Sequence, residues 1–182
     1  MMISDISPDF RWNKKDLQTI NKILPYEATP EAIQLFQRYA YRLTDYAYWF
    51  LLSTLWVSYT GFSDLEAWKQ LFLSTRSNRE TSIMKPSELG LFRALQGTLA
   101  VYRAHRPDEP DWISYTLSAE QAGKFAAHRK VSQVKQYRIA KADVLCLFLR
   151  RGELEVLVLD KGRAELVRDI PVVISSESTQ IQ

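Results

Sequence analysis

Two carboxylates separated by one residue occur near the C-terminal end of the chain, in Glu153-Leu154-Glu155. The segment from Leu154 to Leu159 has the composition of a β-strand. Because alternate residues of a strand share a face about 7 Å apart, this pattern predicts that the two carboxylates lie side by side. One carboxylate of such a pair can stabilise positive charge on a sugar ring, and the other can orient or deprotonate an acceptor.

Three further polar residues lie on strand-like segments earlier in the chain. Arg103 ends the segment TLAVYR, and its planar guanidinium suits a pyrophosphate or a ribose hydroxyl. Ser114 and Thr116 lie in ISYTL, directly before a helix that opens with the capping box Ser118-Ala119-Glu120-Gln121. The Ser114 hydroxyl can bind a ribose or hold Glu155 by a hydrogen bond.

These three segments, in this order, resemble the motifs of the Arg–Ser–Glu class of mono-ADP-ribosyltransferases. Tyr102-Arg103 matches the aromatic-Arg pair that ends the first strand of that family. Ser114-Tyr115-Thr116 matches its Ser-Thr-Ser motif, with Tyr in the middle and Thr for the last Ser. Glu153-Leu154-Glu155 matches its Glu-x-Glu motif in full. The resemblance covers about residues 97–160.

The resemblance implies a split β-sandwich that cleaves the nicotinamide–ribose bond of NAD without a metal and transfers ADP-ribose to a macromolecule. It implies that Glu155 and Glu153 are catalytic, and that NAD is bound by Arg103, Ser114, Thr116, Tyr102 and Tyr115. The acceptor, a protein or a nucleic acid, stays open. Similar enzymes include bacterial toxins and phage proteins, in which N-terminal helices cover the NAD cleft or contact the target.

Each segment also has a simpler interpretation. The two glutamates can form the solvated face of a hairpin, Arg103 can close a strand at the surface, and Ser114 and Thr116 can face water. We expect His105, Arg106 and Arg129 to be solvated. Two other functions therefore stay open: an NAD glycohydrolase that uses the same site with water as acceptor, and a non-catalytic interaction module with the same fold.

The N-terminal half has the periodicity of helices. Thr29-Pro30-Glu31 predicts a helix start, because the Thr29 hydroxyl can cap a helix and Pro is favoured at the first helical position. The most apolar stretch, Ala47 to Val57, is too short for a membrane span and predicts a buried helix. Another helix is expected from Pro86 to Leu95. After Gly97, strand patterns dominate, and the last predicted strand covers Pro171 to Ile174.

The sequence therefore predicts an α+β protein, with a helical N-terminal subdomain over residues 1–96, a β-rich core over 97–175 and a flexible tail over 176–182. The chain has 182 residues, a net charge of +3 and one cysteine, Cys146. This composition argues against a disulfide framework and a zinc site. The N-terminus lacks the pattern of a signal peptide, so we expect a cytoplasmic protein with no membrane partner.

Overall fold

The computed structural model describes residues 5–61 and 64–172, and this part of the chain is a mixture of helices and antiparallel strands, as predicted. The α-helices of the described residues are α1 (Lys14–Ile23), α2 (Pro30–Tyr39), α3 (Asp45–Ser58), α4 (Leu65–Phe72), α5 (Arg79–Ile83), α6 (Pro86–Ala94) and α7 (Ala119–Arg129). The strands are β1 (Thr98–Arg103), β2 (Ser114–Thr116), β3 (Gln133–Ala140), β4 (Cys146–Phe148), β5 (Glu155–Leu157) and β6 (Glu165–Pro171). The predicted tail, residues 176–182, lies outside the described residues.

The chain divides into two compact units. Of the described residues, the helical unit comprises 5–61, 64–95 and Cys146–Arg151, and the sheet unit comprises Gln96–Leu145 and 152–172. The predicted block 97–175 is therefore interrupted by six residues that pack with the helices. Within the described residues, none of the helices combines the length and the hydropathy that a bilayer crossing requires.

Helix α3 is the central element of the helical unit. The Thr44 side chain caps its N-terminus by accepting a hydrogen bond from the Ala47 N–H, and the Tyr59 N–H bonds carbonyls of its last turn. Trp49 and Leu52 on this helix are completely buried. Because apolar residues cover most of its circumference, α3 forms the core rather than a surface helix with one apolar stripe. The prediction of a buried helix over Ala47 to Val57 is confirmed.

The segment Cys146–Arg151 is held in the helical unit by Glu88 on α6. The Glu88 side chain is 1% exposed and accepts hydrogen bonds from Arg150 Nε at 3.1 Å and from the Leu149 N–H at 3.0 Å. The Lys85 N–H donates to its other oxygen at 2.8 Å, and Arg150 also donates to the buried Ser53 hydroxyl. Glu88 is thus a buried charge that is paired and hydrogen-bonded on both oxygens.

The sheet unit contains an antiparallel sheet with the strand order β5-β2-β1-β3-β6. Helix α7 covers one face of this sheet. Ala122 and Ala126 of the helix pack against Ala104 and Val134, with Tyr102 at the edge of this cluster. Small side chains on α7 allow close approach of the helix to the strands. The sheet and α7 therefore form the scaffold on which the motif residues lie.

Two strand predictions differ from the structure. The predicted strand Leu154 to Leu159 shortens to Glu155–Leu157, and it begins one residue late because Leu154 adopts a left-handed backbone with φ of 48°. Within the described residues the last strand is Glu165–Pro171, which begins six residues before the predicted strand Pro171 to Ile174, and residues 173 and 174 of that prediction lie outside the described residues. This strand is exposed at nearly every position. It therefore lacks the alternation of buried apolar and exposed polar residues by which strands are recognised in a sequence.

We predict that Glu88→Gln lowers the free energy of unfolding by about 3 kcal/mol, because Arg150 then keeps a partly buried charge without a carboxylate partner. Glu80→Gln is the matched control, since the Glu80–Arg93 ion pair is exposed on both sides, and it should change stability by less than about 0.5 kcal/mol. Urea unfolding of both variants makes the comparison. An equal loss of unfolding free energy in the two variants would contradict the conclusion that Glu88 holds the segment Cys146–Arg151 in the helical unit.

Candidate functional site

Residues from all three sequence motifs meet in one row across neighbouring strands. Tyr102 of β1 pairs with Thr116 of β2, and Thr116 pairs with Glu155 of β5. Cross-strand partners in an antiparallel sheet share a face, so these three side chains lie on the same side of the sheet. Ser114, two residues before Thr116, lies on that side as well.

The hydroxyls of Ser114 and Thr116 both bind the Glu153-Leu154-Glu155 segment. Ser114 Oγ donates to Glu155 Oε1 at 2.6 Å. Thr116 Oγ1 donates to the carbonyl of Glu153 at 2.6 Å and accepts from the Ser118 N–H at 3.1 Å. One hydroxyl therefore orients a carboxylate, and the other fixes the backbone that carries the second carboxylate. Hydroxyls in both positions are needed for this arrangement.

Glu153 does not share a strand with Glu155. Strand β5 begins at Glu155, and the left-handed Leu154 separates the two glutamates. The Leu117 N–H donates to the Leu154 carbonyl at 3.0 Å and helps hold this conformation, which is unfavourable for a residue with a Cβ atom. The prediction that alternation along one strand places the two carboxylates side by side is therefore wrong. Their spacing is set by a local turn at Leu154.

Arg103 lies one residue beyond Tyr102, so the pleat turns its side chain to the other face of the sheet. Its guanidinium forms a bidentate ion pair with Glu109, with distances of 3.1 Å from Nε to Oε2 and 2.5 Å from Nη2 to Oε1. Nη1 donates to the carbonyl of Ser114 at 2.6 Å. Both side chains of the pair are 9% exposed. The guanidinium thus supports the backbone under Ser114 and is already bound within the chain.

Glu109 is the centre of a polar cluster that the sequence does not indicate. Besides Arg103, its carboxylate contacts His105 Nδ1 at 3.0 Å and Arg106 Nη1 at 3.4 Å. His105 Nε2 contacts the Tyr137 hydroxyl at 2.8 Å. Burial raises the pKa of Glu109, but hydrogen bonds from His105 and Arg103 and their charges outweigh burial and lower the pKa to about 2. His105 and Arg106 are therefore members of a network and not solvated loop residues.

Tyr115 and Tyr102 occupy different environments. The Tyr115 side chain is 2% exposed, its hydroxyl accepts from Trp112 Nε1 at 2.8 Å, and its ring lies edge-on to Tyr137. Burial raises the pKa of Tyr115 to about 12. This position leaves no open ring face for a ligand. Tyr102 is half-buried beside α7 and lies in the row that contains Glu155.

Arg129, at the C-terminal end of α7, brings positive charge to the face that carries the motif residues. It donates to the carbonyl of Ala104, and its guanidinium lies 5.5 Å from the centre of the Phe125 ring. Burial, followed by the like charges of Arg103 and Arg106, lowers its pKa to about 10, so it is still a cation at neutral pH. The bond to the Ala104 carbonyl and the partial burial of Arg129 correct the expectation that its side chain is solvated. The helical spacing of Ala122, Phe125, Ala126 and Arg129 is the signal that indicates an inward position.

Comparison with protein-family models, with curated protein sequences and with solved structures finds no match. In the part of the chain that the structure describes, no group of three or more His, Cys, Asp or Glu side chains is placed to hold a metal ion. Interpretation of the site therefore depends on the geometry of its own side chains.

The low pKa of Glu109 predicts acid sensitivity of the sheet unit. In an unfolded chain this carboxyl titrates near 4.5, so its contribution to stability, about 3 kcal/mol, is complete above that pH and is lost as the pH falls towards 2. Between pH 6 and pH 3, wild type should lose about 2 kcal/mol more unfolding free energy than Glu109→Gln. Glu165→Gln, in an exposed pair with Arg138, serves as control and should titrate like wild type. If the unfolding free energy of all three proteins fell by the same amount between pH 6 and pH 3, the low pKa assigned to Glu109 would be contradicted.

Proposed function

We propose that this protein is an NAD-dependent mono-ADP-ribosyltransferase that transfers ADP-ribose to a macromolecular acceptor. The observation that carries the proposal is the pair of hydroxyl contacts, Ser114 to the Glu155 carboxylate and Thr116 to the Glu153 carbonyl. The motifs resemble those of this family in sequence, and here they are joined by hydrogen bonds across two strands. A pair of solvated strands would not require either contact.

The order of the strands within the sheet also supports an ADP-ribosyltransferase-like core. The strand that carries Ser114 and Thr116 lies directly between the Tyr102-Arg103 strand and the Glu155 strand. Helix α7 follows the Ser114 strand immediately, and the Ser118 side chain caps it by accepting from the Gln121 N–H. The order of the elements along the chain and their order in the sheet are both compatible with this fold.

The chemistry assigned to the two glutamates is a displacement at the nicotinamide ribose. The bond between the ribose C1′ and the nicotinamide nitrogen breaks, its electron pair leaves with the neutral nicotinamide, and positive charge builds on the ribose. Glu155, oriented by Ser114, stabilises that charge. The acceptor atom bonds to C1′, and its proton moves to Glu153. Mass and charge balance without a metal or a redox partner.

Arginines have two different roles in this proposal. Arg129 supplies the cation that attracts the pyrophosphate of NAD, because it lies on the same side of the sheet as Tyr102. Arg103 is a positioning residue, because its guanidinium is paired with Glu109 and bonded to the Ser114 carbonyl. It acts on Glu155 through Ser114. This role replaces the direct NAD contact that the sequence resemblance implies for Arg103.

The closed Arg103–Glu109 pair and the buried Tyr115 favour a second candidate, a non-catalytic module that keeps these residues for stability. An NAD glycohydrolase would use the same glutamates with water as the acceptor. Binding of NAD distinguishes the module from the two enzymes. The fate of ADP-ribose distinguishes the transferase from the glycohydrolase.

Release of nicotinamide from NAD by the purified protein, with and without cell lysate, tests the proposal. We expect release that lysate stimulates, and a loss of about a hundredfold or more in Glu155→Gln, because the shape is kept and the charge is removed. Ser114→Ala should lose about tenfold, since one hydrogen bond to the carboxylate disappears. Glu165→Gln is the matched control, because Glu165 is an exposed glutamate on β6.

The outcomes separate the candidates. Lysate-dependent release with labelling of macromolecules by NAD supports the transferase. Equal release with and without lysate, without labelling, supports the glycohydrolase. If Glu155→Gln and Glu165→Gln release nicotinamide at the same rate, the assigned site is wrong. If NAD neither binds nor reacts, the non-catalytic module takes its place.

Arg129→Gln tests the cation on α7. We predict that the Michaelis constant for NAD rises about tenfold in this variant while kcat changes little, because a charge-assisted contact to the pyrophosphate is lost in substrate and transition state alike. Arg138→Gln on β3, an exposed arginine in the same unit, should leave both constants unchanged. A fall in kcat with an unchanged Michaelis constant would assign Arg129 a different role.

A further inference from the structure

A cavity of about 380 Å³ lies in the helical unit, between the segment before α1 and the start of α3. Its lining includes two acidic residues, Asp9 and Asp45, two aromatic residues, Trp12 and Tyr46, and Arg11. The volume is in the range of small ligand sites in proteins. None of these residues belongs to the motifs described above.

The two carboxylates keep acceptor capacity in this cavity. Asp9 accepts hydrogen bonds from the hydroxyls of Thr81 and Ser82, both on one of its oxygens. Asp45 accepts from Arg76 at 3.0 Å and from the Ser77 N–H at 3.3 Å. An ionised carboxylate offers about four acceptor sites. These contacts fix the orientation of both carboxylates without using all their lone pairs.

The arginines around the cavity are already engaged. Arg11 Nη1 donates to the carbonyls of Pro8 and Phe10, so its guanidinium folds back onto the preceding loop. Besides Asp45, Arg76 donates to the carbonyls of Leu43 and Ala40. A further cation that enters the cavity would therefore be attracted by the carboxylates of Asp9 and Asp45.

Aromatic rings continue from the cavity over the surface of the helical unit. The Trp12 side chain is 72% exposed, although a large indole normally finds a packing partner. Tyr46 stacks on Phe50 with ring centres 5.6 Å apart, and Phe10 meets Tyr46 edge-on at the same distance. Phe10 and Phe50 are 46% and 38% exposed. Phe10, Tyr46 and Phe50 thus form a partly exposed aromatic surface, and two of its rings, those of Phe10 and Phe50, lie outside the cavity lining.

We propose that this cavity binds the guanidinium of an arginine side chain that a protein partner presents. A planar guanidinium stacks on the exposed indole and donates to the flanking carboxylates, which matches both properties of the lining. The rings of Phe10, Tyr46 and Phe50 then contact apolar neighbours of that arginine. A free guanidine or amine would leave this aromatic surface uncovered, and for that reason we assign the site to a polypeptide. The proposal stands without the proposed NAD chemistry, since no residue is shared.

Fluorescence anisotropy with a labelled peptide, acetyl-Gly-Leu-Arg-Leu-Gly-amide, tests the site on the 182-residue chain. We expect saturable binding that weakens about tenfold in Trp12→Ala, because one cation–π contact and part of the wall are removed. The large exposure of Trp12 makes this variant compatible with folding. Tyr41→Ala removes another exposed aromatic residue of the same unit, at 70% exposure, and should bind within about twofold of wild type.

Three results would overturn the proposal. The first is equal binding of a peptide that carries Gln in place of Arg. The second is an equal loss of affinity in Trp12→Ala and Tyr41→Ala, which would indicate nonspecific aromatic contact. The third is competition by acetyl-arginine amide at the same concentration as the peptide, which would assign the cavity to a free guanidine ligand. Because the assay contains no NAD, its failure is distinct from failure of the transferase proposal.

Discussion

The ion pair between Arg103 and Glu109 determines the geometry of the sheet unit at the motif residues. Two nearly buried charges are stable there because each is hydrogen-bonded to the other and to further polar groups. Arg103 also donates a hydrogen bond to the carbonyl of Ser114, and the Ser114 hydroxyl donates a hydrogen bond to the Glu155 carboxylate. The orientation of the carboxylate at which we place the chemistry therefore depends on a pair that lies on the other side of the sheet.

Local signals in the sequence predict the elements well. Strand β1 covers Thr98–Arg103 as predicted, helix α2 begins at Pro30, and the Ser118 side chain accepts the expected bond from the Gln121 N–H. Each of these features depends on a few neighbouring residues, namely a fixed proline φ, a capping hydroxyl or a run of β-branched and aromatic side chains. Even here a detail differs, because the Thr29 hydroxyl donates to the Tyr26 carbonyl and does not cap α2.

The site is less accessible to sequence reasoning because its contacts are non-local or depend on a single backbone angle. The turn after Arg103 contains several acidic residues. No sequence pattern distinguishes Glu109 among them as the partner of Arg103. The left-handed conformation of Leu154 has no sequence signal, since Gly, Asn and Asp are the residues that usually adopt it. Strand pairing brings Ser114 to Glu155 across 41 positions of the chain, and no local sequence pattern indicates a contact between residues that far apart.

The six residues Cys146–Arg151 have a consequence for how this protein can be divided. Helical patterns give way to strand patterns near Gly97, so the sequence pattern alone assigns the whole helical half to a gene fragment that ends there. Such a fragment would lack Arg150, so Glu88 would retain its buried position without its cationic partner. The helical unit is thus encoded in two separate stretches of the chain. A recombination event or an expression design that treats residue 96 as a clean border would separate a carboxylate from the charge that neutralises it.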